Sequence, residues 1–411
     1  MLAPLATLAA ALGCAAAAAS DLRGHGGPVG ALAARDGAVL SGSFDTRAIV
    51  WDGENAVARR VLRFHDGSVT ATAFLPDGGY ATAGQDGRVA VWGPSGDAPL
   101  FATSEHQAPV SALSLSPDGE TLAAASWDGR IQRIALATRA ATLSEAHQGM
   151  AMGLAHLGDG RLVSVGSDLR LVIDADIGLD ATVGLPALPN GVALSEGRFA
   201  VIFADGALRL FDEGGQTDER ILSERPLIAV AARGDLVAAA SVTGEVWILD
   251  NGDLSVRHAI LPDQGPVWSL AFTDDALLTG GADGLVRSWD LASGEALGEG
   301  GGAVEMAFHD GSRGAEVWRS CALCHTLSPD GGERAGPTLH GVFGRRAGTV
   351  EGYDYSQALR GMDIVWDERT IAELFEYGPD AYTPGSRMPD QRVPSAEDRE
   401  ALVEFLSRVA R

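Results

Sequence analysis

Short apolar alternations followed by small residues recur along residues 21–290. Runs such as VTATAFL (69–75) and VSALSLS (110–116) alternate apolar and polar positions. Stretches like LAAAS follow, then turns such as FDTR, QDGR, WDGR, ADGA, TGE and ADGL. Period-two alternation broken by Asp-Gly turns predicts antiparallel strands joined by hairpins. Leu75-Pro76-Asp77-Gly78 and Ser116-Pro117-Asp118-Gly119 are further tight turns. A bulky apolar residue closes each unit, at Trp51, Trp92, Ile134, Ile173, Phe211, Leu249 and Trp289. A repeat of about forty residues means one supersecondary unit used again and again. Seven such units of four strands predict a closed, all-β seven-bladed propeller over 21–297.

Three polar positions recur with the same period. His25, His65, His106 and His147 precede the alternating runs; Ser41, Thr82, Ser164 and Thr279 stand in the strands; Asp45, Asp86, Asp128 and Asp283 stand in the turns. With the terminal tryptophans, these residues make the repeats resemble WD repeats. The resemblance implies that His, hydroxyl, Asp and Trp hydrogen-bond within each blade. Blades 5 and 6 lack the His and blade 3 carries Ala124 for the hydroxyl, so these blades are expected to be held more by packing. The histidines are not expected to bind metal, because one residue per blade spreads them around a ring. Trp127 and Trp268 fall outside the repeat positions, where they either line a face or channel or simply pack.

The pattern changes after the propeller. Gly298-Glu299-Gly300-Gly301-Gly302 opens a flexible joint, 298–304, and helical signals occupy 305–411. Asp310 to Arg319 reads as a helix start. Ser395-Ala396-Glu397-Asp398 reads as a capping box before a final helix with Leu402, Phe405, Leu406 and Val409 on one face. The predicted whole is thus multidomain, a propeller followed by a small all-α domain.

That second domain carries the candidate chemistry. Cys321-Ala322-Leu323-Cys324-His325 has the spacing of a c-type haem attachment site, with two thiols for thioether bonds and the next histidine as iron ligand. A four-cysteine zinc site is excluded, because the chain's remaining cysteine is Cys14. The sequence around the pair is not that of a thioredoxin-like redox site. For the sixth iron position Met388 is the best-placed residue, in the loop Tyr382 to Pro389; Met362 and His340 are the alternatives. A thioether ligand raises the reduction potential relative to a second histidine.

The segments GAEVWRSCALCH, AGPTLHGVFGRRAG, GYDYSQAL, IVWDERTIAELF and TPGSRMP follow in order over nearly all of 305–411. They resemble class I cytochrome c, most closely the soluble mitochondrial and bacterial type. The resemblance implies one covalent haem c on Cys321 and Cys324, with His325 and Met388 on the iron. It implies that the Pro337 carbonyl fixes the imidazole. Arg345, Tyr355 and Trp366 correspond to residues that bond the haem propionates, and Ser386 to a hydroxyl near the methionine loop. One departure stands out. All 31 basic residues are arginine, and residues 303–411 carry 12 Arg against 18 Asp and Glu, net −6. The lysine ring with which typical carriers dock acidic partners is missing.

The net charge of −24 argues against nucleic acid and anionic membrane as partners and favours a partner with a basic docking surface. Residues 1–20 are apolar, rich in small residues and close on an Ala-x-Ala pattern, as in a signal peptide, though without Lys or Arg. Export would place the chain in the periplasm, where covalent haem attachment occurs, with no transmembrane segment in the mature chain; lipid anchoring through Cys14 is a secondary reading of a poor lipobox. No nucleophile, triad or phosphate loop appears in 21–290. The expected function is electron transfer, with the propeller as docking platform. Two alternatives remain. One is an oxidoreductase with a second cofactor in the propeller, for which His156, His258 and His309 are the spare ligands. The other is a redox-linked assembly scaffold.

Overall fold

In a computed structural model the described residues are 21–298 and 311–410, apart from 97, 176–177, 319–320, 323–324, 330–335, 352, 354, 387 and 389–391. The expected signal segment with Cys14, most of the expected joint, His309 and Cys324 lie outside the described residues. Within them, 28 strands form seven four-stranded antiparallel sheets. The chain is a seven-bladed propeller followed by a helical domain.

Blade 1 is built from β2 (Val29–Arg35), β3 (Ala38–Ser43), β4 (Arg47–Asp52) and β5 (Val57–Arg63). Blades 2 to 6 follow in the same way. The last blade is different: β26 (Val267–Phe272), β27 (Ala276–Gly281) and β28 (Leu285–Asp290) take their outer strand from β1 (Leu22–Arg23), with Leu22 opposite Val286. Ser269 also donates to the Val29 carbonyl of blade 1 at 2.8 Å. First and last repeats are thereby locked, and the ring leaves no open sheet edge at its seam.

Every innermost strand carries a β-bulge at the same place. The extra residue lines the central channel in each case: Gly30, Thr70, Ser111, Met152, Asn190, Ile228 and Trp268. Trp268 therefore occupies a repeat position after all, as a bulge residue, and its ring packs 5.7 Å from that of Phe44. Trp127 is 44 % exposed on the rim.

The polar staple forms where its parts are present. In blade 1, His25 bonds Asp45 (3.0 Å) and Ser41 (2.7 Å), and Trp51 donates to Ser41 at 2.7 Å. Blade 2 repeats this with His65, Asp86, Thr82 and Trp92. In the last blade Gln264 takes the histidine's place, donating to Asp283 (3.2 Å) while accepting from Thr279 (2.6 Å). In blade 4 the staple is His147, Asp168 and Ser164, and its aspartate had no counterpart among the turn residues picked from the pattern. The strand register corrects a second position there: Asp174, not Ile173, stands opposite Leu162, where other blades place Trp or a large apolar residue. Asp174 pairs with Arg133 of blade 3 at 2.9 Å. Blade 5 has no histidine and packs buried Phe199, Phe203 and Phe211 instead.

Blade 3 leaves a gap that predicts its own repair. His106 bonds Asp128 at 3.1 Å, but with Ala124 at the hydroxyl position its buried Nε2 has no partner. An unmet buried polar atom costs on the order of 1 kcal/mol or more. Ala124→Ser should therefore raise the melting temperature of the propeller by about 2 °C. A lower melting temperature would mean that the added oxygen does not reach the ring.

The staples also set a pH dependence. Burial opposes ionisation of Asp45, Asp86, Asp128 and Asp168. It is overcome at the first two chiefly by His25 and His65, and at the others chiefly by the Arg130 and Gln148 backbone N–H groups. All four carboxyls are held below their ordinary range. Burial also lowers the His147 imidazole, against the pull of Asp168. Folded values below unfolded ones give stability that is complete at high pH and lost on acidification. The His147 contribution should fade below about pH 6.5 and the carboxylate contribution below about pH 4. Thermal melts from pH 7 to 3 should fall in two stages; a flat profile would contradict the linkage.

The helical domain is organised by α1 (Arg313–Trp318) crossing α5 (Ala396–Val409), with α2 (Gln357–Arg360), α3 (Glu368–Tyr377) and α4 (Pro379–Tyr382) around them. The crossing depends on Gly314, where a Cβ would stand 2.1 Å from the Ala401 carbonyl. Trp318 packs on Phe405, and Leu402, Phe405 and Leu406 are buried as the helical periodicity predicts. Ser395 caps α5 through the Asp398 N–H. The other half of the expected box is diverted: the Asp398 carboxylate takes Arg313 at 2.7 and 2.9 Å and ties the two helices together. A full capping box does occur at α3, between Asp367 and Thr370.

Candidate haem site

The helical domain forms most of the wall of an open, apolar cavity. Trp318, Leu339, Val342, Leu359, Ile371, Leu374, Phe375 and Leu406 furnish much of its wall. Cys321, three residues beyond α1 in a turn, reaches the cavity and is 6 % exposed. Burial pushes its thiol up to about 12. A thiol so protonated is a poor thiolate nucleophile or zinc ligand. Its partner Cys324 lies outside the described residues.

His325 also lines the cavity. Its Nδ1 lies 2.7 Å from the Pro337 carbonyl oxygen, which can only accept, so Nδ1 carries the proton and donates it. In a neutral ring this tautomer places the lone pair on Nε2, the atom that could ligate a metal. Gly336 makes room for this ring: a Cβ there would come within 2.5 Å of the His325 Cε1 atom. Met388 lies on the cavity wall, and neither His340 nor Met362 is among the lining residues. The turn before it is built by Thr383, which donates through Oγ1 to Ser386 (3.2 Å) and accepts the Ser386 N–H at its carbonyl (2.9 Å). Ser386 is itself on the wall.

Arg345 and Trp366 are distant in sequence but adjacent here. Gly344 donates to the Trp366 carbonyl at 2.7 Å and Trp366 to the Arg345 carbonyl at 2.9 Å. The Arg345 guanidinium donates to the carbonyls of His340 and Thr338, each at 2.8 Å. Burial lowers the Arg345 pKa and raises that of Tyr355, which also faces the cavity. An arginine held in a half-buried, largely apolar wall is suited to receive an anionic group. An apolar cavity, a ring nitrogen, a thioether, a cysteine and a half-buried arginine together fit a haem with its carboxylates.

Residues 311–410 match the cytochrome c family, and residues 57–93, 98–132 and 256–290 match the WD domain, G-beta repeat. Similar proteins include cytochrome c of Gibberella zeae, 41 % identical over 102 residues, or 95 % of that protein and 25 % of this chain. Cytochrome c of Stellaria longipes is 40 % identical over 104 residues, 95 % of its length. That of Arabidopsis thaliana is 40 % identical over 98 residues, 87 % of its length.

The chain belongs to the cytochrome c family.

Its cytochrome domain makes it an electron-transfer haem protein joined to a WD propeller. Among the described residues no helix is long and apolar enough to cross a membrane, and no three His, Cys, Asp or Glu side chains are grouped to hold a metal ion. His156 bonds Ser114 and His258 meets the Leu291 carbonyl, so both already have structural partners. Of the apolar wall residues above, the sequence reading singled out Leu406, on the face of the last helix; the others escaped it, although the spacing of Ile371, Leu374 and Phe375 on α3 is a signal that marks them. Two further wall residues, Asp45 and Arg47, belong to the propeller, and nothing in the sequence points to them.

Proposed function

We propose that this protein is an exported, periplasmic electron carrier with one haem attached covalently through Cys321 and Cys324. His325 and Met388 are its iron ligands, and the propeller is the platform on which a redox partner docks. The observation that carries this reading is the His325 ring, fixed by its Nδ1–H bond to Pro337 and facing an apolar cavity that Met388 also lines. Bound there, the haem supplies a one-electron centre. The chain's own residues do the rest. Pro337 and Gly336 hold the imidazole in one orientation. The Thr383–Ser386 turn positions the Met388 loop. The aromatic and aliphatic wall keeps water out, which strengthens every electrostatic interaction inside. Arg345 stands ready to balance propionate charge.

The apolar segment 1–20 supports export. The charge of −24 and the absence of lysine support a partner with a basic docking surface, engaged more weakly as salt rises. The test is the optical spectrum of the exported protein, oxidised and reduced, with haem counted per chain. One low-spin c-type haem and no other chromophore is the expected result. A second chromophore would make the propeller an active site and overturn the carrier reading.

A further inference from the structure

The haem crevice is not walled by the cytochrome domain alone. At the upper edge of blade 1, Arg47 begins β4 directly opposite Arg63, which ends β5. Arg47 and its neighbour Asp45 line the same cavity as His325 and Met388. Arg63 stacks over the Tyr353 ring, 4.4 Å from its centroid, and Tyr353 lies 4.6 Å from the ring of Tyr355. Both tyrosines face the cavity. A propeller edge thus forms part of the crevice wall.

The Arg47 side chain is held with unusual care. It is 4 % exposed, and its Nη1 donates to the Asp45 carbonyl (2.7 Å) and to Thr46 Oγ1 (2.6 Å). Thr46 has φ of +72°, a left-handed conformation that is costly for a β-branched residue. The corresponding turn position is glycine in five other blades, Gly87, Gly129, Gly206, Gly244 and Gly284, and Leu169 in blade 4, all with positive φ. Blade 1 accepts this strain and gains the hydroxyl that fixes Arg47. Asp45 lies beside this cation: its carboxylate accepts from His25 (3.0 Å), the Gly26 N–H (2.8 Å) and the Arg47 backbone N–H (2.9 Å) and offsets part of the charge, so the cavity feels what remains of it.

We infer that Arg47 is a haem-site residue supplied by the propeller: with Arg345 it balances the carboxylates of the cofactor at the crevice mouth. It thereby raises the reduction potential, since a nearby positive charge favours the state that has gained an electron. This rests on the haem reading proposed above. Burying two carboxylates against apolar walls requires cationic partners, and Arg47 and Arg345 are the arginines on the described wall.

The test is an optical redox titration of the full chain. Arg47→Gln should lower the reduction potential while leaving the oxidised and reduced spectra unchanged. Arg47→Lys, which keeps the charge, should restore most of the difference. Thr46→Gly, which suits the turn and removes only the hydroxyl anchor, should give a smaller fall and serves if Arg47→Gln does not fold. Arg59→Gln is the control: this exposed residue pairs with Asp52 on the same blade and is absent from the cavity wall. An unmoved potential in Arg47→Gln, or equal falls in the Gln and Lys variants, would overturn the inference while a normal haem spectrum leaves the carrier reading standing. A chain without a haem spectrum would overturn both.

Discussion

Replacing Cys321 and Cys324 together by alanine is expected to abolish covalent haem: after denaturation the chain should show no haem stain, and its mass should fall by one haem. The motif supplies two thiols at fixed spacing, followed immediately by a histidine. Cys321 faces an apolar cavity. Its buried thiol, pushed up to about 12, is not a group kept for thiolate chemistry or metal binding. A thioether bond removes the titrating proton altogether and suits such a place. Each single replacement should leave haem on the remaining cysteine in reduced yield. Haem that stays attached through denaturation in the double variant would contradict the assignment of the site.

The second large effect is expected from Met388→Ala. The haem should remain attached, because the cysteines are untouched. The oxidised and reduced spectra should lose their low-spin character, and the reduction potential should fall by on the order of 0.1 V, within the span that axial ligands command. The reason is chemical: the soft thioether favours the reduced iron, and water or a hard replacement does not. The packing around Met388 belongs to the core that includes Trp318, Ile371 and Leu406, so the small side chain also opens this wall to water. Met362→Ala, outside the cavity wall, should leave the spectrum as it was. An unchanged spectrum in Met388→Ala would remove Met388 as the ligand.

The first of these variants probes chemistry that the sequence reading took from spacing, and the second a residue chosen from its loop over Met362 and His340. Cys-x-x-Cys-His is a local motif: the attachment chemistry needs neighbouring residues, so neighbouring residues announce it. The propeller was legible for a related reason. Blades 1 to 6 each build their four-stranded ladder from consecutive strands, so alternation and turn residues repeat with the blade and can be counted. Where a blade replaces one part, sequence reading falters. Gln264 does the work of a histidine in the last blade because an amide can donate at one atom and accept at the other. Position 174 was misplaced by one because alternation fixes a face only once the register is known. The bulge residue Trp268 looked irregular for the same reason.

The helical domain divides in the same way. Its helices follow from local periodicity, and its candidate ligands were read from motif. The Asp398 to Arg313 pair spans 85 residues and replaces half of the capping box that the local sequence advertises. Arg345 and Trp366 meet only because two backbone bonds lay one segment beside the other.

By itself, then, the sequence determined the architecture of both parts and the attachment motif, because strand alternation, helical faces and Cys-x-x-Cys-His are short-range patterns. Only the tertiary structure decided how the last blade closes through β1, which apolar residues wall the cavity, and that Arg47 reaches it from the propeller. Those depend on contacts between residues tens to hundreds of positions apart, and no periodicity along a chain encodes which distant surface will lie against which.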